Sequence, residues 1–223
     1  MNSDTLIHLH ESIVKEIYPY SCDDQVQRRV ASVADFLLSH TPGNILEIGA
    51  GQGVTTLLFL KTASKLNKKV FVVDPFESGI DNPPDSSDVD DYYKSFFSNY
   101  SYDSFLERTS DYKNYLTVFK SISQDDSLKK EVMKTVSDVK FAFVDGLQDN
   151  VENVLSDLEL MGELKTHLIC VDDYHSHLPK RNEIVREAIK IFTEKNPYIE
   201  FPTNGSWGER VKEGYIIRVD EGI

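Results

Sequence analysis

Short apolar runs alternate with segments of helical periodicity along most of this chain. The runs are rich in β-branched and aromatic residues, which favour strands, and the segments between them place apolar residues on one helical face. Between residues 44 and 173 the runs are NILEIG, KVFVVD, YLTVFK, VKFAFVD and HLICVDD. Such alternation is typical of a parallel sheet whose crossover helices cover both faces. We therefore expect an α/β fold with one doubly wound, mostly parallel sheet.

The length of 223 residues fits one domain, so residues 1–223 are expected to form a single domain. Residues 198–220 have two strand-like ends around a turn-rich middle, which predicts a C-terminal antiparallel hairpin at one edge of the sheet. Residues 76–113 interrupt the alternation as an insertion. Its aromatic side chains recur at helical spacing: Tyr92, Tyr93, Phe96, Phe97 and Tyr100. They either pack on the core as a short helix or belong to a lid over a pocket.

Residues 1–42 precede the first run and are predicted to form helices. The clearest pattern covers residues 23–40, where the apolar side chains that share one helical face are Val26, Val30, Val33, Phe36 and Leu37. That spacing is typical of a helix packed on a core.

The charge of the chain restricts its partners. The formal net charge is −13, and such a surface would repel nucleic acid and anionic lipid, which are bound chiefly by clustered Lys and Arg. No apolar run approaches the ~20 residues of a membrane helix, and the N-terminus lacks the pattern of a signal peptide. We expect a cytoplasmic protein that binds a small molecule, with no nucleic-acid or membrane partner. A homo-oligomer is also compatible with the sequence.

Three glycines on alternate positions follow the first run. A strand that enters a helix through glycines lets backbone N–H groups approach a ligand closely, so the segment is typical of a cofactor loop. The dinucleotide pattern GxGxxG would need its third glycine at Val54. The spacing present is Glu47, Gly49, Gly51 and Gly53, or ExGxGxG.

This motif resembles that of the class I S-adenosylmethionine-dependent methyltransferases. The resemblance implies a Rossmann-like fold in which the glycine loop holds the amino-acid part of S-adenosylmethionine and an acid ending the second strand binds its ribose hydroxyls. Asp74 ends KVFVVD and takes that position, and a carboxylate can accept from both hydroxyls at once. Ser121, after the third run, lies near the adenine contact of that family. The alternative is that Glu47 and Asp74 are surface or turn acids.

Aspartates end the fourth and fifth runs. Asp145 follows VKFAFV, and Asp172 and Asp173 follow HLICV. Because the carboxyl ends of parallel strands meet at one edge of a sheet, these carboxylates should lie together beside the glycine loop. Clustered carboxylates repel one another unless a cation lies between them, and oxygen ligands favour Mg²⁺ or another hard divalent cation. The pair at 172 and 173 can share a metal only if the chain turns there. The alternative is that these are helix caps and loop acids without metal.

The pattern resembles more closely the metal-dependent small-molecule O-methyltransferases of the macrocin and catechol O-methyltransferase type. Those enzymes have an Asp after the fourth strand, a DLEL-like stretch in the next helix and an acidic pair after the fifth strand, and DLEL here covers residues 157–160. The resemblance implies metal-assisted methyl transfer from S-adenosylmethionine to a hydroxyl of a sugar, polyketide or catechol-like molecule.

The chain departs from that group at the position of the base. Gln148 stands where those enzymes often carry a Lys or His, and an amide cannot titrate. His175, just past the aspartate pair, is the nearest candidate base, because its ordinary pKa suits proton transfer near neutrality. A nicotinamide-dependent oxidoreductase remains an alternative, although Val54 and the aspartates count against it. Gln148 also leaves open a non-catalytic protein that binds S-adenosylmethionine.

Overall fold

The structure is a computed structural model that describes residues 24–76, 101–175, 179–201 and 213–219. The helix predicted before residue 23 and the aromatic stripe between Tyr92 and Tyr100 lie outside these residues. The first strands and helices are α1 (Asp24–His40), β1 (Asn44–Ile48), α2 (Val54–Leu66) and β2 (Val70–Val73). After the insertion come α3 (Tyr102–Thr109), a 3₁₀ turn (Ser110–Tyr112), β3 (Leu116–Phe119), α4 (Asp126–Thr135) and β4 (Val139–Val144). The chain continues through α5 (Val151–Glu163), β5 (Leu168–Val171), α6 (Pro179–Lys195), β6 (Tyr198–Phe201) and β7 (Gly214–Arg218).

The strands form one seven-stranded sheet in the order β3-β2-β1-β4-β5-β7-β6. The pairs from β3 to β5 are parallel, and β7 runs antiparallel to both β5 and β6. The mostly parallel sheet and the C-terminal hairpin are therefore confirmed. The strand order reverses between β1 and β4, and open α/β sheets bind ligands at such a switch point.

Each face of the sheet carries its own hydrophobic core, because successive side chains of a strand point to opposite faces. On β1, Ile45 belongs to the cluster that contains Val30 and Ala34 of α1 and Phe59 of α2. The neighbouring Leu46 belongs to the other cluster, with side chains of α4, α5 and α6 that include Val132, Leu158 and Val185. Helices thus cover both faces, as predicted.

The helix predicted over residues 23–40 is confirmed, but its buried face differs from the predicted one at Phe36. That side chain is 69% exposed, whereas Val30, Ala34 and Leu38 are buried. Six residues beyond Val30, Phe36 is turned by roughly 120° around a helix with ~3.6 residues per turn. Its ring stacks on His40 at a centroid distance of 4.7 Å. Among the described helices, none combines the length and apolar composition needed to cross a membrane.

Candidate functional site

The register of the strands places four chemically distinctive residues in one row. Ile48 is paired with Val73 of β2 and with Val144 of β4, and Val144 is paired with Val171 of β5. The residues that follow these four are Gly49, Asp74, Asp145 and Asp172. The sheet hydrogen bonds continue through them, because each backbone N–H donates to a neighbouring strand, at 3.0 Å for Gly49, 3.1 Å for Asp74, 2.8 Å for Asp145 and 3.0 Å for Asp172. The strand register thus brings the glycine motif and the aspartates to one edge of the sheet, as predicted.

The loop after β1 depends on its glycines. The φ angles of Gly49, Gly51 and Gly53 are +83°, +52° and +80°, in the region that side chains with a Cβ rarely adopt. A Cβ on Gly49 would lie 2.0 Å from the carbonyl oxygen of Asp145, whereas one on Gly51 would meet no atom within 4 Å. The first glycine therefore allows the loops after β1 and β4 to touch at the switch point, and the second leaves open space above the loop.

Asp74 holds the glycine loop from the end of β2. Its Oδ2 accepts hydrogen bonds from the backbone N–H groups of Ala50 at 2.8 Å and Gly51 at 3.1 Å, and its Oδ1 accepts from Phe76 N–H at 2.7 Å. A carboxylate offers about four lone-pair positions, so three are used within the protein and about one is left for a further donor such as a ribose hydroxyl. Binding of a cofactor by Asp74 stays a prediction, and its contact with the loop is an additional role.

Glu47 lies beneath the loop. Its side chain is fully buried on the α2 side of the sheet, and its Oε2 accepts a hydrogen bond of 2.6 Å from the Thr56 hydroxyl of α2. Burial raises the pKa of Glu47 to about 8; the bond from Thr56 lowers it and the charge of Asp74 raises it further. Glu47 is fully buried and joins β1 to the helix after the loop, and its assignment to the cofactor site stays a prediction.

We expect the Glu47→Gln variant to lose part of the pH dependence of stability. A carboxyl group whose folded pKa is about 8 and whose unfolded value is ~4.5 makes the folded state less stable as pH rises between those values, by at most on the order of 5 kcal/mol. Gln cannot titrate, so the variant should gain stability relative to the wild type at pH 8 and not at pH 5. Urea denaturation at both pH values measures this difference. The exposed Glu159→Gln variant is the control, and equal pH dependence in wild type and Glu47→Gln would contradict the expectation.

The described end of the insertion packs on the glycine loop. Phe105 of α3 is fully buried, and a Cβ on Gly53 would lie 2.8 Å from its ring. The Phe105 ring also contacts Phe76 at a centroid distance of 4.7 Å, and Arg108 donates to the Gln52 carbonyl. Residues 101–113 thus close one side of the loop, and a lid function for residues 76–113 stays a prediction.

The segment after β3 forms another wall of the site. Ser121 is half-buried, and its hydroxyl lies 3.4 Å from Asp125 Oδ2. Ser123 is buried and its hydroxyl donates to Oδ1 of Asp157, the first residue of the DLEL stretch. Burial raises the pKa of Asp157 to about 7, while the Ser123 hydrogen bond and the charge of Lys129 lower it. Asp157 therefore joins α5 to the β3 loop, and an adenine contact by Ser121 stays a prediction.

The aspartates after β4 and β5 lie within electrostatic reach of one another. Desolvation by the surrounding protein, and then the charges of Asp172 and Asp173, raise the pKa of Asp145. Because Asp145 is exposed at the surface, water screens these effects and the rise is smaller than full burial would produce. The chain turns at residues 172–175, and Asp173 has a φ of +56°. The turn needed to bring both aspartates of the pair to one side is therefore present.

A cation from the protein itself reaches this acidic edge. Arg181 of α6 pairs with Asp173, with 2.8 Å between Nη1 and Oδ2, and its charge lowers the pKa of Asp145. Across the described parts of the chain, no group of three or more His, Cys, Asp or Glu side chains could hold a metal ion. The donor set of Asp145, Asp172 and Asp173 therefore does not fit a three-carboxylate metal centre in this arrangement.

Gln148 and His175 have contacts that bear on the search for a base. Gln148 is buried, its Nε2 donates to the Asp172 carbonyl at 3.3 Å, and its Oε1 has no hydrogen-bond partner among the described residues. Arg186 Nη2 lies 2.8 Å from His175 Nδ1. Because a guanidinium can only donate, Nδ1 must be the acceptor and Nε2 carries the proton. Desolvation, and then the charge of Arg186, also lower the pKa of His175. The base role of His175 stays a prediction, and this contact counts against it.

Sequence reasoning missed Thr56, Arg181 and Arg186 as parts of the site. Thr56 lies nine residues beyond Glu47, and the arginines lie on a helix whose pattern indicates only core packing. The roles of these three residues follow from the side chains that they contact in the structure, because neither helical spacing nor a motif distinguishes them. The sequence indicated Asp157 only as part of the DLEL stretch, without a role of its own.

No protein-family profile matches the chain, and no curated protein sequence matches it. Solved structures do. The apo TDP-rhamnose 3'-O-methyltransferase CalS11 of calicheamicin biosynthesis is 13% identical with a TM-score of 0.54, over 96% of this chain and 92% of that one. An O-methyltransferase from Bacillus cereus in complex with SAH is 15% identical with a TM-score of 0.54, over 97% and 90%. The SAH-bound methyltransferase PaMTH1 of Podospora anserina is 10% identical with a TM-score of 0.55, over 98% and 89%.

These structures define the class of the fold. The chain has the fold of the S-adenosylmethionine-dependent methyltransferases, as the glycine motif indicated. Within that class its structural neighbours include O-methyltransferases, one of which acts on a TDP-linked sugar.

Proposed function

We propose that this protein is an S-adenosylmethionine-dependent methyltransferase that acts on a hydroxyl group of a small molecule. The observation that carries the proposal is the glycine loop at the switch point, held by Asp74 at the end of the next strand. The N–H groups of Ala50 and Gly51 are bound by Asp74, and the loop leaves open space at Gly51, which suits the close approach of a cofactor. The O-methyltransferases of the same fold support the choice of reaction.

The chain contributes chiefly by positioning. S-adenosylmethionine supplies a methyl group already activated by its sulfonium, so the protein has to align an acceptor oxygen with that methyl group. Gly49 and Asp145 are in contact at the switch point, so an acceptor at the Asp145 side would lie beside the cofactor loop. The carboxylate of Asp145 can accept a hydrogen bond from the acceptor hydroxyl and take up its proton as the oxygen–methyl bond forms and the sulfonium–methyl bond breaks, which leaves S-adenosylhomocysteine.

The acidic edge restricts the acceptor. Asp145, Asp172 and Asp173 would repel a phosphate placed beside them and accept hydrogen bonds from hydroxyls instead. We therefore propose a neutral polyhydroxylated group, such as a sugar, polyketide or catechol-like ring, at the reacting position. The sugar acceptor of CalS11 is consistent with this chemistry.

Metal assistance was predicted from the same three aspartates. What supports it is that carboxylate oxygens are ligands of the kind that Mg²⁺ prefers. Mg²⁺ binds such ligands at ~2.0–2.1 Å with near-octahedral geometry. Arg181 already pairs with Asp173, so a centre built from all three carboxylates would require that ion pair to open. No step of the proposed reaction passes through a metal.

The two alternatives make different demands on the same loop. A nicotinamide-dependent oxidoreductase would have the third glycine of its fingerprint at position 54, where it lets the helix pack closely on the strand, and this chain has the buried side chain of Val54 there. A non-catalytic protein would bind S-adenosylmethionine and leave every acceptor unmethylated.

Calorimetric titration of the full chain tests the proposal. We expect S-adenosylhomocysteine to bind with a dissociation constant in the micromolar range, which is ~8 kcal/mol of binding free energy, and NAD to give no measurable heat. Gly51→Ala should weaken this binding, because its methyl group would enter the open space above the loop without touching the protein. Tight binding of NAD without a response to S-adenosylhomocysteine would sink the proposal, and binding unaffected by Gly51→Ala would place the cofactor elsewhere.

A further inference from the structure

The acidic edge has a counter-ion of its own on the first turn of α6. Arg181 is the third residue of that helix, and its guanidinium lies 2.8 Å from the Asp173 carboxylate. Asp173 lies on the turn after β5, and β5 is the strand next to the one that Asp145 follows. The arginine therefore pairs directly with one carboxylate of the acidic edge.

The position of Arg181 on the helix is unfavourable by itself. The first turn carries the positive end of the helix dipole, where a cation is disfavoured. It contains two cations, Lys180 and Arg181, and no acidic residue. For Arg181 the ion pair with Asp173 offsets this cost. Asp173 itself has a φ of +56°, a conformation rare for residues other than glycine.

We propose that Arg181 is the resident counter-ion of the acidic edge, a positioning residue whose ion pair with Asp173 occupies an oxygen that a divalent metal shared by Asp145, Asp172 and Asp173 would need. Its guanidinium stays charged at every physiological pH and binds carboxylate oxygens in a fixed planar geometry. A metal ion that approached Asp173 would meet this charge at close range and would compete with it for the same oxygen.

The neighbouring contacts keep the arrangement in place. Arg186, one to two turns further along α6, donates to the Tyr174 carbonyl at 3.2 Å and lies 4.9 Å from the centroid of the Tyr174 ring. Gln148 donates to the Asp172 carbonyl from the loop after β4. The loop that carries Asp172 and Asp173 is thus held from both sides, so removal of the Arg181 charge should free carboxylates without displacing them.

The inference deepens the proposed function, and its meaning for catalysis rests on that function. The binding of a metal to the acidic edge can nevertheless be measured without cofactor or acceptor. Failure of this inference is therefore distinguishable from failure of the methyltransferase proposal, which is tested by cofactor binding.

Titration of the cofactor-free protein with Mn²⁺, followed by the electron paramagnetic resonance signal of the free ion, tests the inference. We expect weak binding by the wild type and binding at least roughly ten-fold tighter by Arg181→Gln, a change of ~1.4 kcal/mol. Arg181→Lys should restore the wild-type affinity because it keeps the charge. Lys180→Gln, on the exposed neighbouring residue, removes the same charge from the same turn and should leave the affinity unchanged.

The double variant Arg181→Gln with Asp173→Asn locates the ion. We expect the second substitution to reverse the gain in Mn²⁺ affinity, because one of the released carboxylates is then lost. Equal affinities of wild type and Arg181→Gln, whether weak or tight, would overturn the inference. A gain that survives Asp173→Asn, or one reproduced by Lys180→Gln, would overturn it as well, since the effect would then come from net charge alone.

Discussion

Gly49→Ala is expected to lose more than about 4 kcal/mol of unfolding free energy, a large part of the ~5–15 kcal/mol that keeps a domain folded. The added Cβ would lie 2.0 Å from the carbonyl oxygen of Asp145 and 2.5 Å from its carbonyl carbon. Both of these atoms are backbone, and they are anchored because Asp145 N–H donates to the Ile48 carbonyl at 2.8 Å. No side-chain rotation can relieve the overlap, so β1 and β4 would have to separate. Chemical denaturation of the purified variant measures the loss.

Gly51→Ala separates this overlap from the cost of a positive φ. It makes the same substitution in the same loop, at a φ of +52°, where the Cβ meets no atom within 4 Å. We expect it to lose only about 1–2 kcal/mol, the strain of a left-handed conformation. Similar stabilities of the two alanine variants would show that the contact between Gly49 and Asp145 is not what restricts position 49.

Asp74→Ala is expected to reduce both stability and affinity for S-adenosylhomocysteine. The substitution removes the acceptor of three backbone N–H groups, those of Ala50, Gly51 and Phe76. Each charge-assisted hydrogen bond contributes about 1.5–3 kcal/mol, and donors left buried without an acceptor add a penalty. We expect a loss of at least about 3 kcal/mol of stability and, in the protein that remains folded, a fall of ~100-fold or more in affinity. Denaturation and calorimetry measure the two effects.

The control for Asp74 is another buried aspartate that lies away from the loop. Asp35 of α1 is 7% exposed, and its Oδ1 accepts a hydrogen bond of 3.3 Å from the Thr62 hydroxyl of α2. Asp35→Ala should lower stability and leave the affinity of the folded protein unchanged. If Asp74→Ala bound S-adenosylhomocysteine as tightly as Asp35→Ala, the loop held by Asp74 would not be the cofactor site.

The fold could be predicted because local sequence and global architecture agree. The strands begin and end within the predicted runs, as at NILEIG, where β1 covers Asn44–Ile48. Parallel strands buried on both faces read as continuous apolar runs, and that signal is local. Phe36 shows the limit of such reasoning, because periodicity defines a helical face without stating where the buried part of it ends.

The site could be predicted only as far as the sheet positions it. Strand ends bring Gly49, Asp74, Asp145 and Asp172 together, and a parallel sheet allows that step from sequence alone. The other residues of the site, such as Thr56 and Arg181, lie on helices. Their contacts depend on how those helices pack, which a spacing pattern does not encode. Arg181 is the clearest case. A cluster of carboxylates predicted a cation, and the cation present in the structure is a side chain eight residues beyond Asp173.

The position of β7 between β5 and β6 connects this strand to the acidic edge. β6 precedes β7 in the chain, yet among the described strands it pairs with β7 alone, so it joins the sheet through β7, which lies beside β5. Gly214 at the start of β7 lies so close to Tyr174 that a Cβ there would be 2.6 Å from its ring. The strands around the glycine loop pair without β7, whereas the turn that carries Asp172 and Asp173 has β7 as a neighbour. The described strand that lies farthest from the glycine loop in the chain therefore takes part in shaping the acidic edge, because the turn that carries Asp172 and Asp173 is complete only when Gly214 lies against Tyr174.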